Sequence, residues 1–93
     1  MKPLTLARDL QRRRARERTG LFVAEGVRVV EELLASPLVL RAAIMAPGLM
    51  ETERGTALEK SLRNQAGARG FSVVQVSDRE LADCASTDTP QGI

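Results

Sequence analysis

The chain has 93 residues, 43% of them hydrophobic and 28% charged, which is the size and composition of one small folded domain. It contains no His and one Cys, so within these residues histidine acid–base catalysis, an internal disulfide and a cysteine-held zinc site are excluded, and a reducing, cytoplasmic environment is expected. Net charge is only +2, but residues 1–18 hold seven basic and two acidic residues, which indicates a basic arm that meets a polyanion.

The first predicted element is a short basic helix over residues 5–16, in which Leu6 and Leu10 share one face. Five arginines lie close together in and after it: Arg12, Arg13, Arg14, Arg16 and Arg18. Arginine is always charged at neutral pH, and its fork of donors matches phosphate oxygens. A solvated charge run is the simpler interpretation, but the density of arginine favours RNA or another polyanion. We accordingly divide the chain into a basic arm, residues 1–18, and an RNA-binding α/β domain, residues 19–93.

A continuous apolar run over residues 21–24 predicts a buried strand. The Glu25-Gly26 turn follows, and a helix over residues 26–35 is predicted after it. The apolar positions of this helix form one stripe, made of Val27, Val30, Leu33 and Leu34. Ser36 and Pro37 end the helix, because proline lacks the donor that a helix interior needs.

Arg28 lies in the first turn of this helix, where a cation opposes the helix dipole. Two explanations are open. One is a local ion pair with Glu25 or Glu32, of a kind that is common and weak at a surface. The other is that Arg28 reaches a phosphate from the edge of the sheet.

Two more strand–helix pairs follow. A strand over residues 39–46 leads through a Pro47-Gly48 turn to a helix over residues 51–68, and a strand over residues 71–76 leads to a short last helix that reaches about residue 85. In the longer helix an apolar stripe recurs every four residues, and Glu59 lies four residues before Arg63 in the favourable orientation for an ion pair. The stripe consists of Leu58, Leu62 and Ala66. A capping box of Ser77 and Glu80 starts that last helix. Strands that alternate with helices through short connections predict a small three-layer α/β/α domain with a mostly parallel sheet.

The other candidate residues have ordinary structural interpretations. Cys84 is expected to be a buried thiol rather than a nucleophile. Phe22 and Phe71 lie on predicted strands and are expected in the core, so RNA contacts should go to phosphates and to RNA shape rather than to stacked bases. Thr87, Thr89 and Gln91 are either polar contacts to RNA or parts of an ordinary loop. No residue is predicted to be catalytic, to bind a cofactor or to hold a metal.

Two motifs resemble the N-terminal substrate-binding domain of SpoU/TrmH-type RNA methyltransferases. The family's opening pattern, Arg-x-Arg-x-x-x-Gly-x-Phe-x-x-Glu-Gly-x-Arg, is matched here by Arg14, Arg16, Gly20, Phe22, Glu25, Gly26 and Arg28. A second pattern, Thr-Pro-Gln-Gly, leads towards the catalytic domain in that family, and Thr89, Pro90, Gln91 and Gly92 match it. The two patterns in this order span nearly the whole chain.

The resemblance implies a compact α/β domain like that of ribosomal proteins that bind kinked RNA. It further implies a parent enzyme that transfers a methyl group from S-adenosylmethionine to a ribose 2′-hydroxyl, with ribosomal RNA as substrate, usually as a homodimer. The catalytic domain would follow residue 93, so residues 1–93 alone are expected to be inactive and to bind no cofactor. The resemblance also implies that residues 91–93 begin a further strand, and we expect the chain after about residue 86 to be mobile.

Two alternatives differ in class from this interpretation. One is a free-standing RNA-binding protein of the kinked-RNA-binding kind, with no enzymatic parent. The other is a protein-interaction or dimerisation module whose basic arm meets an acidic partner.

Overall fold

A computed structural model describes residues 2–85, 90 and 92–93 of the chain. Over these residues the elements are α1 (Pro3–Asp9), α2 (Arg13–Thr19), α3 (Val27–Ala35), β1 (Ala42–Met45), α4 (Glu53–Arg69), β2 (Ser72–Gln75) and α5 (Asp78–Cys84), with a 3₁₀ turn (Pro47–Glu51) between β1 and α4.

The sheet of the described residues has two parallel strands, with Ala42 of β1 opposite Ser72 of β2 and Met45 opposite Gln75. Parallel neighbours need a crossover, and α4 supplies it. α4 packs against β2 and α3, while α1 packs against β1 and α5. The sheet therefore lies between two helical layers, which confirms the predicted three-layer α/β fold with a parallel sheet.

The main core lies between the sheet and the layer formed by α3 and α4. Its buried members come from α3, β1, the 3₁₀ turn, α4, the residue before β2 and the last residue: Val27, Val30, Met45, Leu49, Leu58, Leu62, Phe71 and Ile93. The predicted apolar stripes of the two helices thus face the core, with Ala66 and Leu34 packed at its border. Leu62 and Leu49 are each 1% exposed, so the most deeply buried part of the core is where α4 packs against the 3₁₀ turn.

The strand predicted over residues 21–24 is wrong, because this segment is irregular and no described strand pairs with it. Phe22 is 60% exposed, so the prediction that its ring lies in the core is also wrong. Phe71 is buried as expected, although it lies one residue before β2. A strand exists only where a second backbone accepts and donates its hydrogen bonds, and an apolar run cannot reveal whether that partner is present.

The basic helix predicted over residues 5–16 is two helices, α1 and α2, joined by a turn at residues 10–12. Leu10 is buried in this turn. Two carbonyl groups of this turn, those of Leu10 and Gln11, are bound by a side chain from α2. The predicted strand over residues 39–46 is likewise shorter than expected, since Val39 is 85% exposed and β1 begins at Ala42.

The predicted capping box is present at the start of α5. The Ser77 hydroxyl accepts from the Glu80 N–H at 3.1 Å, and the Glu80 carboxylate accepts from the Ser77 N–H at 3.0 Å. The pKa of Glu80 is lowered first by the hydrogen bond that its carboxylate accepts from the Ser77 N–H, then by interaction with the Ser77 side chain and by the charge of Arg8.

The capping box predicts a pH dependence of stability. The pKa of Glu80 is lower in the folded state, so its stabilisation is present above the ordinary carboxyl pKa of 4.5 and is lost as pH falls through the folded pKa. Glu80→Gln should therefore be less stable than the parent at neutral pH, and the two should converge in acid. Urea unfolding over a pH series measures this difference. A constant difference at all pH values would show that the carboxylate charge contributes nothing.

Candidate nucleic-acid interface

α2 places the arginine cluster on an ordered helix at the surface. Its N-cap is Arg12, and Gly20 ends it in the left-handed conformation with φ 72°. Ala15 is buried on the inner face, whereas Arg12, Arg14 and Arg18 are exposed. The arginines therefore project from a fixed backbone.

Two arginines of the cluster are engaged within the protein. The Arg16 guanidinium donates to the Leu10 carbonyl at 2.8 Å and to the Gln11 carbonyl at 2.9 Å, so it ties α2 to the turn that follows α1. Arg13 Nε donates to Glu17 Oε1 at 2.9 Å on the exposed surface of α2. This engagement of Arg16 could not be seen in the sequence, because it depends on the chain turning back at residues 10–12.

The guanidinium groups of the other three arginines of the cluster, Arg12, Arg14 and Arg18, are free with respect to the described residues. None of them has a hydrogen-bond or ion-pair partner among residues 2–85, 90 and 92–93. We call these three residues the α2 arginine surface. A free guanidinium on a rigid helix can meet a phosphate without first breaking a contact in the protein.

Arg28 lies apart from α2, in the first turn of α3, and is exposed. Its Nε is 3.6 Å from Glu32 Oε1, a loose ion pair between side chains that are 81% and 69% exposed. Of the two explanations for Arg28, the local pair is thus present, and a pair so open to water is weak enough to exchange for a phosphate.

The two motif segments meet at the end of β1. The Gly26 N–H donates to the Ile93 carbonyl at 3.2 Å, and the Ala46 N–H donates to the Gly92 carbonyl at 2.9 Å. Ile93 is buried in the main core. Gly92 and Ile93 are therefore packed into the fold by these contacts. The expected mobility after residue 86 stays a prediction. Thr87, Thr89 and Gln91 lie outside the described residues.

Cys84 is buried on α5, and its thiol donates to the Leu81 carbonyl at 3.3 Å. Burial raises the pKa of this thiol, so it stays protonated and is a poor nucleophile. This confirms the prediction of a buried thiol. In the described part of the chain, no three His, Cys, Asp or Glu side chains are grouped as a metal site would need, and no helix there is long and apolar enough to cross a membrane.

The fold is a small α/β domain with a parallel sheet and a helix whose surface presents arginines that have no partner in the described part of the chain. A family model described as MRM3-like substrate binding domain matches residues 5–93, and the chain belongs to this family. The match is consistent with the predicted substrate-binding domain of a SpoU/TrmH-type RNA methyltransferase. No curated protein and no solved structure matches the chain.

The family assignment decides between the classes that the sequence left open. It indicates the substrate-binding domain of an MRM3-like RNA methyltransferase, with RNA as the partner. A free-standing RNA-binding protein and a protein-interaction module are therefore the weaker interpretations.

Proposed function

We propose that this chain holds the RNA substrate of an S-adenosylmethionine-dependent methyltransferase that modifies a ribose 2′-hydroxyl, with ribosomal RNA as the substrate class. The observation that carries the proposal is the α2 arginine surface, three exposed guanidinium groups without partners in the described part of the chain. Arg28 on α3 is a further phosphate contact in this proposal. Arg13 and Arg16 contribute positive charge from their present positions.

In this proposal the parent enzyme has one domain that binds RNA and another that carries out catalysis. The cofactor, the catalytic residues and the homodimer contact belong to a catalytic domain that we place after residue 93. Residues 1–18 form the basic arm and residues 19–93 the body of the substrate-binding domain. Residues 1–93 alone are expected to be inactive, and the parent enzyme is expected in the cytoplasm.

The way in which the domain holds RNA is suggested by its charge. Guanidinium groups bind phosphate oxygens through paired donors and release the counterions that surround the backbone. Binding of this kind is strong at low salt, reads the shape of the RNA rather than its bases, and weakens steeply as salt rises. A substrate-binding domain of this type positions the RNA, while the choice of nucleotide rests on the RNA fold and on the catalytic domain.

The proposal is tested by removing the α2 arginine surface. In Arg12→Gln/Arg14→Gln/Arg18→Gln, affinity for a hairpin RNA at low salt should fall by at least about tenfold. The slope of log K against log salt should flatten by about 2 to 3, because three phosphate contacts are lost. Stability should be nearly unchanged, since none of these guanidinium groups has a partner in the described structure. Fluorescence anisotropy over a salt series and urea unfolding measure both quantities.

A matched control removes three exposed charges from other elements, in Arg41→Gln/Lys60→Gln/Arg79→Gln. This variant has the same net charge as the first, so it separates a located site from overall charge. We expect it to keep most of the salt slope. Equal losses of affinity in the two variants would mean that binding depends on net charge alone and would remove α2 from the site.

A further inference from the structure

Helix α2 is too short and too highly charged to hold its own orientation. It has seven residues, and an isolated helix of fewer than about 12 residues is marginal in water. Arg14 and Arg18 lie four residues apart on it, a spacing at which like charges repel each other. Ala15 is the one residue of α2 that is buried. The orientation of α2 on the domain therefore depends on further contacts.

The first of these contacts is made by Gln11, in the turn between α1 and α2. Its side-chain Nε2 donates to the backbone carbonyl of Cys84 at 2.5 Å, across 73 positions of sequence. Cys84 is the last residue of α5, and the last carbonyl groups of a helix have no partner within the helix. Gln11 thus satisfies one of these groups and ties the turn before α2 to the C-terminal end of α5.

The second contact is made by Arg16, which binds the same turn from the side of α2. One nitrogen, Nη1, donates both to the Leu10 carbonyl and to the Gln11 carbonyl. The turn is therefore bound to α5 through the Gln11 side chain and to α2 through two backbone carbonyl groups, while Leu10 itself is buried. Arg16 spends these donors on the protein, so it links α2 to the domain instead of offering them to a phosphate.

α5 is a firm base for this link because it is fixed at both ends. At its start, the Asp78 carboxylate accepts from the Gly48 N–H at 2.8 Å, which joins α5 to the 3₁₀ turn of the main core. Further along, Leu81 and Cys84 are buried. A continuous path of contacts thus leads from the core through α5, Gln11 and Arg16 to α2.

We infer that Gln11 and Arg16 are positioning residues of the RNA site. They hold α2 in one orientation at the end of α5, so that the guanidinium groups of the α2 arginine surface meet several phosphates at once. A site that is held in its binding geometry before RNA arrives loses less conformational entropy on binding. The inference rests on the proposed function and deepens it, because a neutral side chain, Gln11, then sets the affinity for a polyanion.

The first test is Gln11→Leu in the 93-residue chain, which breaks the link to Cys84 without changing the charge. Affinity for the hairpin RNA at low salt should fall by about threefold to tenfold, and the salt slope should flatten by about 1, because the three arginines no longer bind together. Amide exchange of the Gly20 N–H, which donates to the Arg16 carbonyl at the end of α2, should quicken by at least about threefold. All variants are compared where urea unfolding shows that they are folded.

Gln75→Leu is the matched control for this variant. The Gln75 side chain also makes one hydrogen bond at the surface, accepting from Arg63 Nη2 at 3.1 Å, but it lies on β2. Its replacement should leave the RNA affinity, the salt slope and the exchange of Gly20 as they are in the parent.

The second test asks whether Arg16 acts through the same link. Arg16→Gln should lose more RNA affinity than Arg13→Gln, although each removes one positive charge, because Arg13 pairs with Glu17 of its own helix. In the double variant Gln11→Leu/Arg16→Gln the affinity should be close to that of Arg16→Gln alone, since both changes break one link.

The inference is overturned if Gln11→Leu keeps the RNA affinity of the parent while Arg12→Gln/Arg14→Gln/Arg18→Gln loses it. That result would leave the proposed function intact. Fully additive losses in the double variant would also overturn the inference, because Gln11 and Arg16 would then contact RNA independently. Failure of the proposed function is a different result, namely unchanged RNA binding in the triple arginine variant, and the role of Gln11 and Arg16 in RNA binding would be lost with it.

Discussion

Replacing Gly55 by Ala should destabilise the domain by about 2–3 kcal/mol, although Ala is the better helix former. Gly55 lies in the first turn of α4 and is buried. A Cβ at this position would lie 1.9 Å from the carbonyl oxygen of Leu49 and 3.0 Å from its carbonyl carbon. These are backbone atoms of the 3₁₀ turn, and the Leu49 side chain is 1% exposed in the core, so the turn cannot move away cheaply.

Gly67→Ala is the matched control, because Gly67 lies in the same helix and no atom lies within 4 Å of its Cβ position. This substitution should stabilise the domain by about 0.5–1 kcal/mol through helix propensity alone. Urea unfolding should show that the free energy of unfolding falls in Gly55→Ala and rises in Gly67→Ala. If both variants were stabilised, the close approach of α4 to Leu49 would not exist in solution.

Gly92→Ala should lower the free energy of unfolding by about 3 kcal/mol, for two separate reasons. Gly92 has φ 86°, in the left-handed region that favours glycine. Its Cβ would also lie 2.2 Å from the Leu49 nitrogen and 2.7 Å from the Leu49 Cα. The backbone of Leu49 is thus closely approached by two glycines, one on α4 and one in the second motif.

Gly20→Ala measures the effect of a positive φ without the steric overlap. Gly20 has φ 72° and ends α2, but nothing lies within 4 Å of its Cβ position, so only the backbone conformation is penalised. A loss of about 1–2 kcal/mol is expected there. Thermal unfolding of both variants provides the comparison. A Gly92→Ala protein as stable as Gly20→Ala would mean that Gly92 is not held against Leu49.

These results would also assign a role to the second motif. Under conditions where it remains folded, Gly92→Ala should keep the salt slope of RNA binding, because Gly92 lies at the end of β1 and not on the α2 arginine surface. A flattened slope in the folded variant would instead place Gly92 among the RNA contacts.

Local chemistry explains what could be predicted from the sequence. The stripes of α3 and α4 are confirmed because apolar residues three and four apart share a helix face whatever else the chain does. The Ser77 and Glu80 capping box and the pair between Glu59 and Arg63, with Nε–Oε2 at 2.6 Å, are confirmed because both partners lie within one helical turn. The alternation of strands and helices was enough to predict the parallel sheet.

The tertiary structure alone decided what depends on distant partners. It showed which arginines lack a partner among the described residues, because Arg16 is bound to carbonyl groups of the turn after α1 and Arg18 is not. Segment 21–24 is irregular in the structure, because a strand needs a neighbouring strand to pair with. An apolar run in the sequence does not show whether that neighbour is present. The tertiary structure also brought Gly26 of the first motif to Ile93, which follows the second motif, because the hydrogen bond between these distant residues depends on how the sheet and helices between them pack.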